Sequence, residues 1–172
     1  MIVFVTVGST KFDTLIETVL SEPFIEALHA KEFTRLVVQC GDSSCSHTAT
    51  LDHGSLTLLN IGEVEIEIWK YKPNLEEEYK RADLVISHAG SGTILEVLRL
   101  RKPLIVVPNP TLLDNHQEEL AKTLANLGHL ETTTIRDLPN SLASFDAESI
   151  VPFPEFDGAK FARIMDEEMG FI

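Results

Sequence analysis

Four short runs, at residues 2–7, 36–39, 84–87 and 104–107, are almost unbroken stretches of Val, Ile, Leu and Phe. A strand that faces water on one side alternates apolar and polar residues, whereas a strand covered on both sides reads as continuous apolar sequence. These runs therefore belong to the interior of a parallel sheet, and a parallel sheet needs helical crossovers. The intervening segments supply them. Phe12, Leu15, Ile16, Val19 and Leu20 recur at helical spacing, Pro23 interrupts, and Phe24, Ile25, Ala27 and Leu28 resume. A short charged helix is expected at 74–81, another at 91–100, and a third at 114–127. The third places Leu120, Leu124 and Leu127 on one face, with Gly128 as its stop. Residues 64–69 alternate with a period of two and read as a strand, preceded by the leucine-rich stretch 56–59. The polar stretch 41–54 reads as a loop. The expected fold is α/β: a Rossmann-like parallel sheet with helices on both faces. Residues 1–172 read as a single domain, with 145–172 as a C-terminal segment.

The charge balance limits what such a domain binds. Fourteen basic and 27 acidic residues give a formal net charge of −13. That disfavours nucleic acid and anionic lipid, which select basic patches. No apolar run is long enough to span a bilayer, so direct membrane insertion is not expected. The opening residues 1–8 lack a basic region and a cleavage site and read as a core strand, which points to the cytoplasm. Cys40, Cys45 and His47 form a poor match to a zinc site, and no Asp-x-Asp pair is present. No metal and no cofactor are expected.

An acidic chain can still hold a phosphate with backbone N–H groups at a helix start. Residues 87–96, SHAGSGTILE, have the composition for it: the strand hands over to a helix through Gly90, Ser91 and Gly92. Ligands of parallel sheets gather at the carboxyl ends of strands, where Gly8, Gly41, residues 87–92 and residues 108–116 all fall. The same residues have a purely structural reading, in which Ser91 is a helix cap and Thr93 with Glu96 forms a capping box. The stretch is not a P-loop, because the GK[ST] ending is missing, and Gly8 stands without a G-x-G-x-x-G pattern. A second polar cluster, Asp114, Asn115, His116 and Gln117, opens the next helix. Its amides suit sugar hydroxyls, and its members also serve as an ordinary cap with a solvated first turn.

Taken together, SHAGSGTILE, KPLIVVP and DNHQ-x-ELA resemble the donor-binding half of GT-B glycosyltransferases related to bacterial MurG. The opening VTVGSTKFD-x-LI is similar to the family of soluble subunits from the two-chain UDP-GlcNAc transferase of N-glycan assembly. The resemblance runs from residue 3 to about residue 130. It implies that Gly90, Ser91 and Gly92 face the diphosphate of UDP, that Thr93 beside them belongs to the same substrate site, and that Glu96 accepts from the ribose hydroxyls. It also implies that His116 and Gln117 contact the sugar with Asn115 beside them, and that the turn from Gly8 to Thr10 lies near the donor phosphates or the acceptor. His88 stands where the bacterial relatives carry a different residue, and Lys11 is the only basic group in its turn. The implied reaction is inverting transfer of N-acetylglucosamine from UDP-GlcNAc to GlcNAc-diphosphodolichol at the cytosolic face of the endoplasmic reticulum. No general base is evident.

A bilobal transferase needs two such domains, and this chain has room for one. The implied partner is a membrane-anchored acceptor-binding subunit forming a heterodimer. The C-terminal segment is the candidate docking element. Phe161, Ile164, Met165, Met169 and Ile172 make an apolar stripe, flanked by Phe153, Phe156 and Phe171. Seven acidic and two basic groups in 145–172 exclude a membrane-surface helix. The stripe either folds back on its own sheet or meets the partner. Two other functions remain compatible with the residues: a nucleotide-binding regulatory or adaptor module without chemistry, and a plain α/β domain whose glycine turn is only a cap.

Overall fold

The computed structural model describes residues 1–44, 55–110, 116–155 and 157–171. Its centre is a seven-stranded sheet in the order β3-β4-β2-β1-β5-β6-β7. The strands are β1 Ile2–Thr6, β2 Arg35–Gln39, β3 Leu56–Ile61, β4 Val64–Trp69, β5 Leu84–His88, β6 Leu104–Val107 and β7 Glu131–Thr132. All pairings are parallel except β3 with β4, an antiparallel hairpin at the edge. The sheet is parallel as expected, with this hairpin its one antiparallel pairing among the described residues. Gly62, at φ +60°, lets the chain reverse within two residues, and a reversal that short pairs neighbouring strands antiparallel. The rest of β3 shows the consequence: Leu56 and Leu58 stand exposed on an edge strand covered on one side only.

Helices α1 Asp13–Val19, α2 Glu22–Ala30 and α6 Leu138–Ser144 cover one face. Helices α3 Glu76–Arg81, α4 Ser91–Arg99 and α5 His116–Asn126 cover the other. Pro23 lies in the first turn of α2, where its missing N–H costs nothing, so it divides α1 from α2 without breaking either. Alternate residues of each inner strand feed opposite cores. Val3, Val5, Leu36, Val38 and Ile86 join the α1, α2 and α6 side, while Phe4, Val37 and Val85 pack beneath α3, α4 and α5. Burial on both faces explains the unbroken apolar runs. Gly128, at φ +77°, ends α5 as expected.

The chain beyond residue 130 adds β7, α6 and a 3₁₀ turn at Ala147–Ser149, none of them anticipated. It stays docked through Val151, whose N–H donates to the Gly128 carbonyl at 2.9 Å. Phe153 meets His129 edge-on at 5.3 Å. Helix α7, Ala159–Met169, then carries its stripe into solvent: Phe161, Ile164, Met165 and Met169 are 66%, 55%, 44% and 62% exposed. The fold-back alternative for this stripe is not what the structure shows. Phe156 and Ile172 lie outside the described residues. Among the described residues, no helix is long and apolar enough to cross a membrane.

Candidate functional site

From the central strand β1 the chain moves to β2 on one side and later to β5 on the other. The carboxyl ends of β1 and β5 therefore flank a topological switch point, the position where open α/β sheets bind ligands. Two turns meet there. Gly8 follows β1 at φ +59°, and Gly90 links β5 to α4. His88 fills the space between them. A Cβ on Gly8 would lie 2.8 Å from His88 Cε1, and one on Gly90 would lie 2.5 Å from His88 Nε2. Both positions must be glycine because an imidazole occupies the room a side chain would need. His88 is 6% exposed, and burial lowers its pKa from the usual value. The Thr6 backbone acts in the opposite direction without completing a hydrogen bond to Nδ1. The ring is therefore neutral at physiological pH.

Gly92 differs from these two. Nothing lies within 4 Å of where its Cβ would be. Internal packing does not require a glycine there, so the open space belongs to the surroundings of the helix end. The first bond of α4 runs from the Ile94 N–H to the Gly90 carbonyl at 3.0 Å. Gly90 is the N-cap and has no side chain to cap with, so the amides of Ser91, Gly92 and Thr93 are left without a capping group. Ser91 is the first helical residue rather than the cap, and Thr93 lies inside the first turn. The capping-box alternative for Thr93 and Glu96 is thereby corrected, since a capping box needs its Ser or Thr at the N-cap itself. Glu96 is exposed and free of that duty.

Glu96 lines a cavity of about 340 Å³ with Asn74, Glu76, Tyr79, Arg99 and Leu100. Tyr79, buried under α4, has its phenol pushed up to about 12. Burial is the main cause, the nearby Glu96 carboxylate adds to it, and a hydrogen bond with Thr93 works against it. Tyr79 thus ties α3 to the first turn of α4, a contact that apolar periodicity had no means of signalling. On its other side, the β4–α3 connection is held by Lys72. Its Nζ lies 2.6 Å from Glu78 Oε1 and 4.2 Å from the centre of the Trp69 ring.

A second cavity, of about 530 Å³, opens on the far side, between the turn after β6 and the turn after β7. Pro108, Asn109, Gln117, Lys122, Thr133 and Arg136 are among its walls. Gln117 Oε1 is buried there without a partner. His116 begins α5. Asn115 lies outside the described residues. Buried Asn109 donates from Nδ2 to the Lys11 carbonyl at 3.2 Å, joining the turn after β6 to the turn after β1. Thr10 is half-buried in that turn, its N–H donating to the Val7 carbonyl at 3.0 Å. Lys11 is exposed and paired with Asp13 at 3.3 Å. Among the described residues, no group of three His, Cys, Asp or Glu is placed to hold a metal. Cys40 is buried, and Cys45 and His47 lie outside the described residues.

The structure thus gathers Gly8, Thr10, His88, Gly90, Ser91, Gly92, Thr93 and Glu96 along the carboxyl edge of β1 and β5, with Gln117 at the end of the neighbouring β6. A model of the glycosyltransferase family 28 C-terminal domain matches residues 2–167. The human protein named UDP-N-acetylglucosamine transferase subunit ALG13 is 42% identical over 136 residues. That match covers 79% of this chain and 11% of the human protein, so the chain spans only a small part of that relative. The Yarrowia lipolytica protein of the same name is 35% identical over 176 residues, covering 100% of this chain and 86% of its own. The Saccharomyces cerevisiae one is 32% identical, covering 95% and 94%. The solution structure of ALG13 superposes with a TM-score of 0.66 at 28% identity, over 95% of this chain and 93% of that one. Acinetobacter baumannii MurG, at 20% identity and a TM-score of 0.59, shares the fold over 86% of this chain and 42% of its own. The seven-stranded sheet is thus the Rossmann-like C-terminal domain of GT-B glycosyltransferases, and the chain belongs to the glycosyltransferase family 28 C-terminal domain family.

Proposed function

We propose that the chain is the donor-binding subunit of a two-chain, inverting glycosyltransferase. The reaction moves N-acetylglucosamine from UDP-GlcNAc to GlcNAc-diphosphodolichol, giving chitobiosyl-diphosphodolichol at the cytosolic face of the endoplasmic reticulum. The observation that carries this reading is the start of α4: glycine-walled, uncapped, open at Gly92 and followed one turn later by an exposed carboxylate. In it the amides of Ser91, Gly92 and Thr93 receive the diphosphate. They are fixed donors that stabilise charge developing on departing UDP. Glu96 accepts from both ribose hydroxyls, and Gln117 and His116 face the sugar. No divalent metal is required for donor binding, since the helix end supplies the complementary charge. The acceptor-binding lobe and the membrane anchor come from a membrane-bound partner. The bare stripe of α7 is its docking surface, and the pair forms a heterodimer.

Calorimetric titration with UDP-GlcNAc tests this reading. The chain should bind the donor, in EDTA as well as in magnesium. Glu96→Gln should weaken binding more than tenfold, about 1.4 kcal/mol, with unchanged thermal stability. No heat beyond dilution, or an unaltered Glu96→Gln affinity, refutes the site. Binding without transfer by the reconstituted pair would leave a nucleotide-binding adaptor instead.

A further inference from the structure

Gln39, the polar last residue of the apolar strand β2, is 1% exposed and uses its whole amide. Oε1 accepts from Thr6 Oγ1 at 2.6 Å and from the Gly8 N–H at 2.8 Å. Nε2 donates to the Gly8 carbonyl at 2.9 Å and to the Lys70 carbonyl at 2.7 Å. An amide offers two acceptor sites and two donors, and all four are used here. Gly41 makes this possible: at φ +53°, its would-be Cβ lies 3.0 Å from the Gly8 carbonyl oxygen and 3.4 Å from Gln39 Nε2.

The partners of Gln39 lie on the two arms that border the start of α4. Gly8 borders the His88 ring, which takes the space a side chain would need both there and at Gly90, the N-cap of α4. Lys70 opens the connection that runs to Asn74 and Glu76, in the wall of the Glu96 cavity. Gln39 therefore grips both the backbone behind the phosphate end of the site and the backbone leading to its ribose end. From this geometry we propose that Gln39 is a positioning residue for the nucleotide donor. Without touching the ligand, it fixes the spacing between the turn after β1 and the connection after β4. This rests on the donor reading given above.

Three chains are to be compared by calorimetry with UDP-GlcNAc: wild type, Gln39→Met and Thr6→Val. Amide hydrogen exchange is followed at Gly8 and at Val5. Methionine keeps the volume of Gln39 and loses all four bonds, whereas valine removes only the Thr6 hydroxyl. Gln39→Met should raise the donor Kd about tenfold with unchanged stoichiometry. Gly8 should exchange faster while Val5, held in the β1 ladder, does not. Thr6→Val should raise Kd roughly threefold, and it carries the test if Gln39→Met does not fold. A purely structural role would lower the fraction of competent sites and leave Kd alone. That pattern, or an unchanged Kd in both variants, overturns the proposal while leaving the donor reading intact. Wild-type chain that binds no donor overturns the donor reading, and the role of Gln39 with it.

Discussion

Helices α4 and α7 are built on the same pattern, an apolar stripe at spacings of three and four, yet their surroundings are opposite. Ile94, Val97 and Leu98 of α4 are at most 3% exposed, while Phe161, Ile164, Met165 and Met169 of α7 stand mostly in solvent. The difference lies in how each helix is tethered. α4 is pinned between β5 and β6 by connections of a few residues, so its stripe is forced onto the sheet. α7 follows a segment containing Pro152 and Pro154, whose last described tie to the sheet domain is Arg101 to Glu155 at 2.8 Å. Periodicity specifies that a helix forms and which side is apolar. Connection length and the next element specify what covers that side.

The largest expected effect tests this contrast directly. Ile94→Ala should cost about 2–5 kcal/mol, as expected for a buried side chain in a closed core. Ile164→Ala should stay within about 0.5 kcal/mol in the isolated chain. Urea unfolding of both variants measures the pair. If Ile164→Ala is as destabilising as Ile94→Ala, the α7 stripe is covered in solution and the two helices are alike after all.

A finer version of the same contrast lies within α4, whose side is covered and whose start is open. Gly90→Ala drives a methyl group to within 2.5 Å of His88 Nε2, so about 1–3 kcal/mol of stability should be lost. Gly92→Ala meets no atom and replaces a helical glycine. Its stability should hold or rise by up to about 1 kcal/mol. It should still weaken UDP-GlcNAc binding about fivefold, roughly 1 kcal/mol, because the methyl group occupies the space over the amides. Thermal melts and donor titration of the two variants separate a glycine the protein needs from one the ligand needs. A stable Gly92→Ala that binds normally would mean that the helix end is merely unoccupied surface.

The same division explains what could be read from the sequence. The inner strands, the order of the helices and the glycine turn at 87–92 were legible, because two-sided burial and helical spacing leave a local trace. The antiparallel β3, the short β7 and α6 were not. Two residues of strand give no periodicity, and α6 reports its burial through only Leu138 and Leu142. At the site, the roles of Gly8 and Gly90 in accommodating His88 leave no local trace, since the three residues meet through turns separated by some eighty positions in the chain. Gln39 and Tyr79 were invisible for a related reason. A polar residue closing an apolar run reads as a strand end, and a tyrosine in a charged helix reads as a surface residue. Only the packing shows that one holds two turns and the other holds α4.

The smallest expected effect concerns the wedge between those turns. Burial keeps His88 neutral in the folded chain, with its pKa below the usual 6.5, whereas in the unfolded chain it takes a proton near that value. Between the two values the unfolded state holds more protons, so stability should fall as pH drops below about 6.5 and be unaffected by this group above about 7.5. One proton limits the slope to about 1.4 kcal/mol per pH unit. His88→Gln removes the titrating ring but keeps a polar side chain between Gly8 and Gly90. The gap between wild-type and variant stability should therefore change from pH 7.5 to pH 5.5, in the variant's favour at the lower pH. A constant gap across that range would show that the ring is already exposed to protons in the fold. In that case the start of α4 would be open down to the level of His88, and its contrast with the sealed side of the same helix would begin one layer deeper than Gly92.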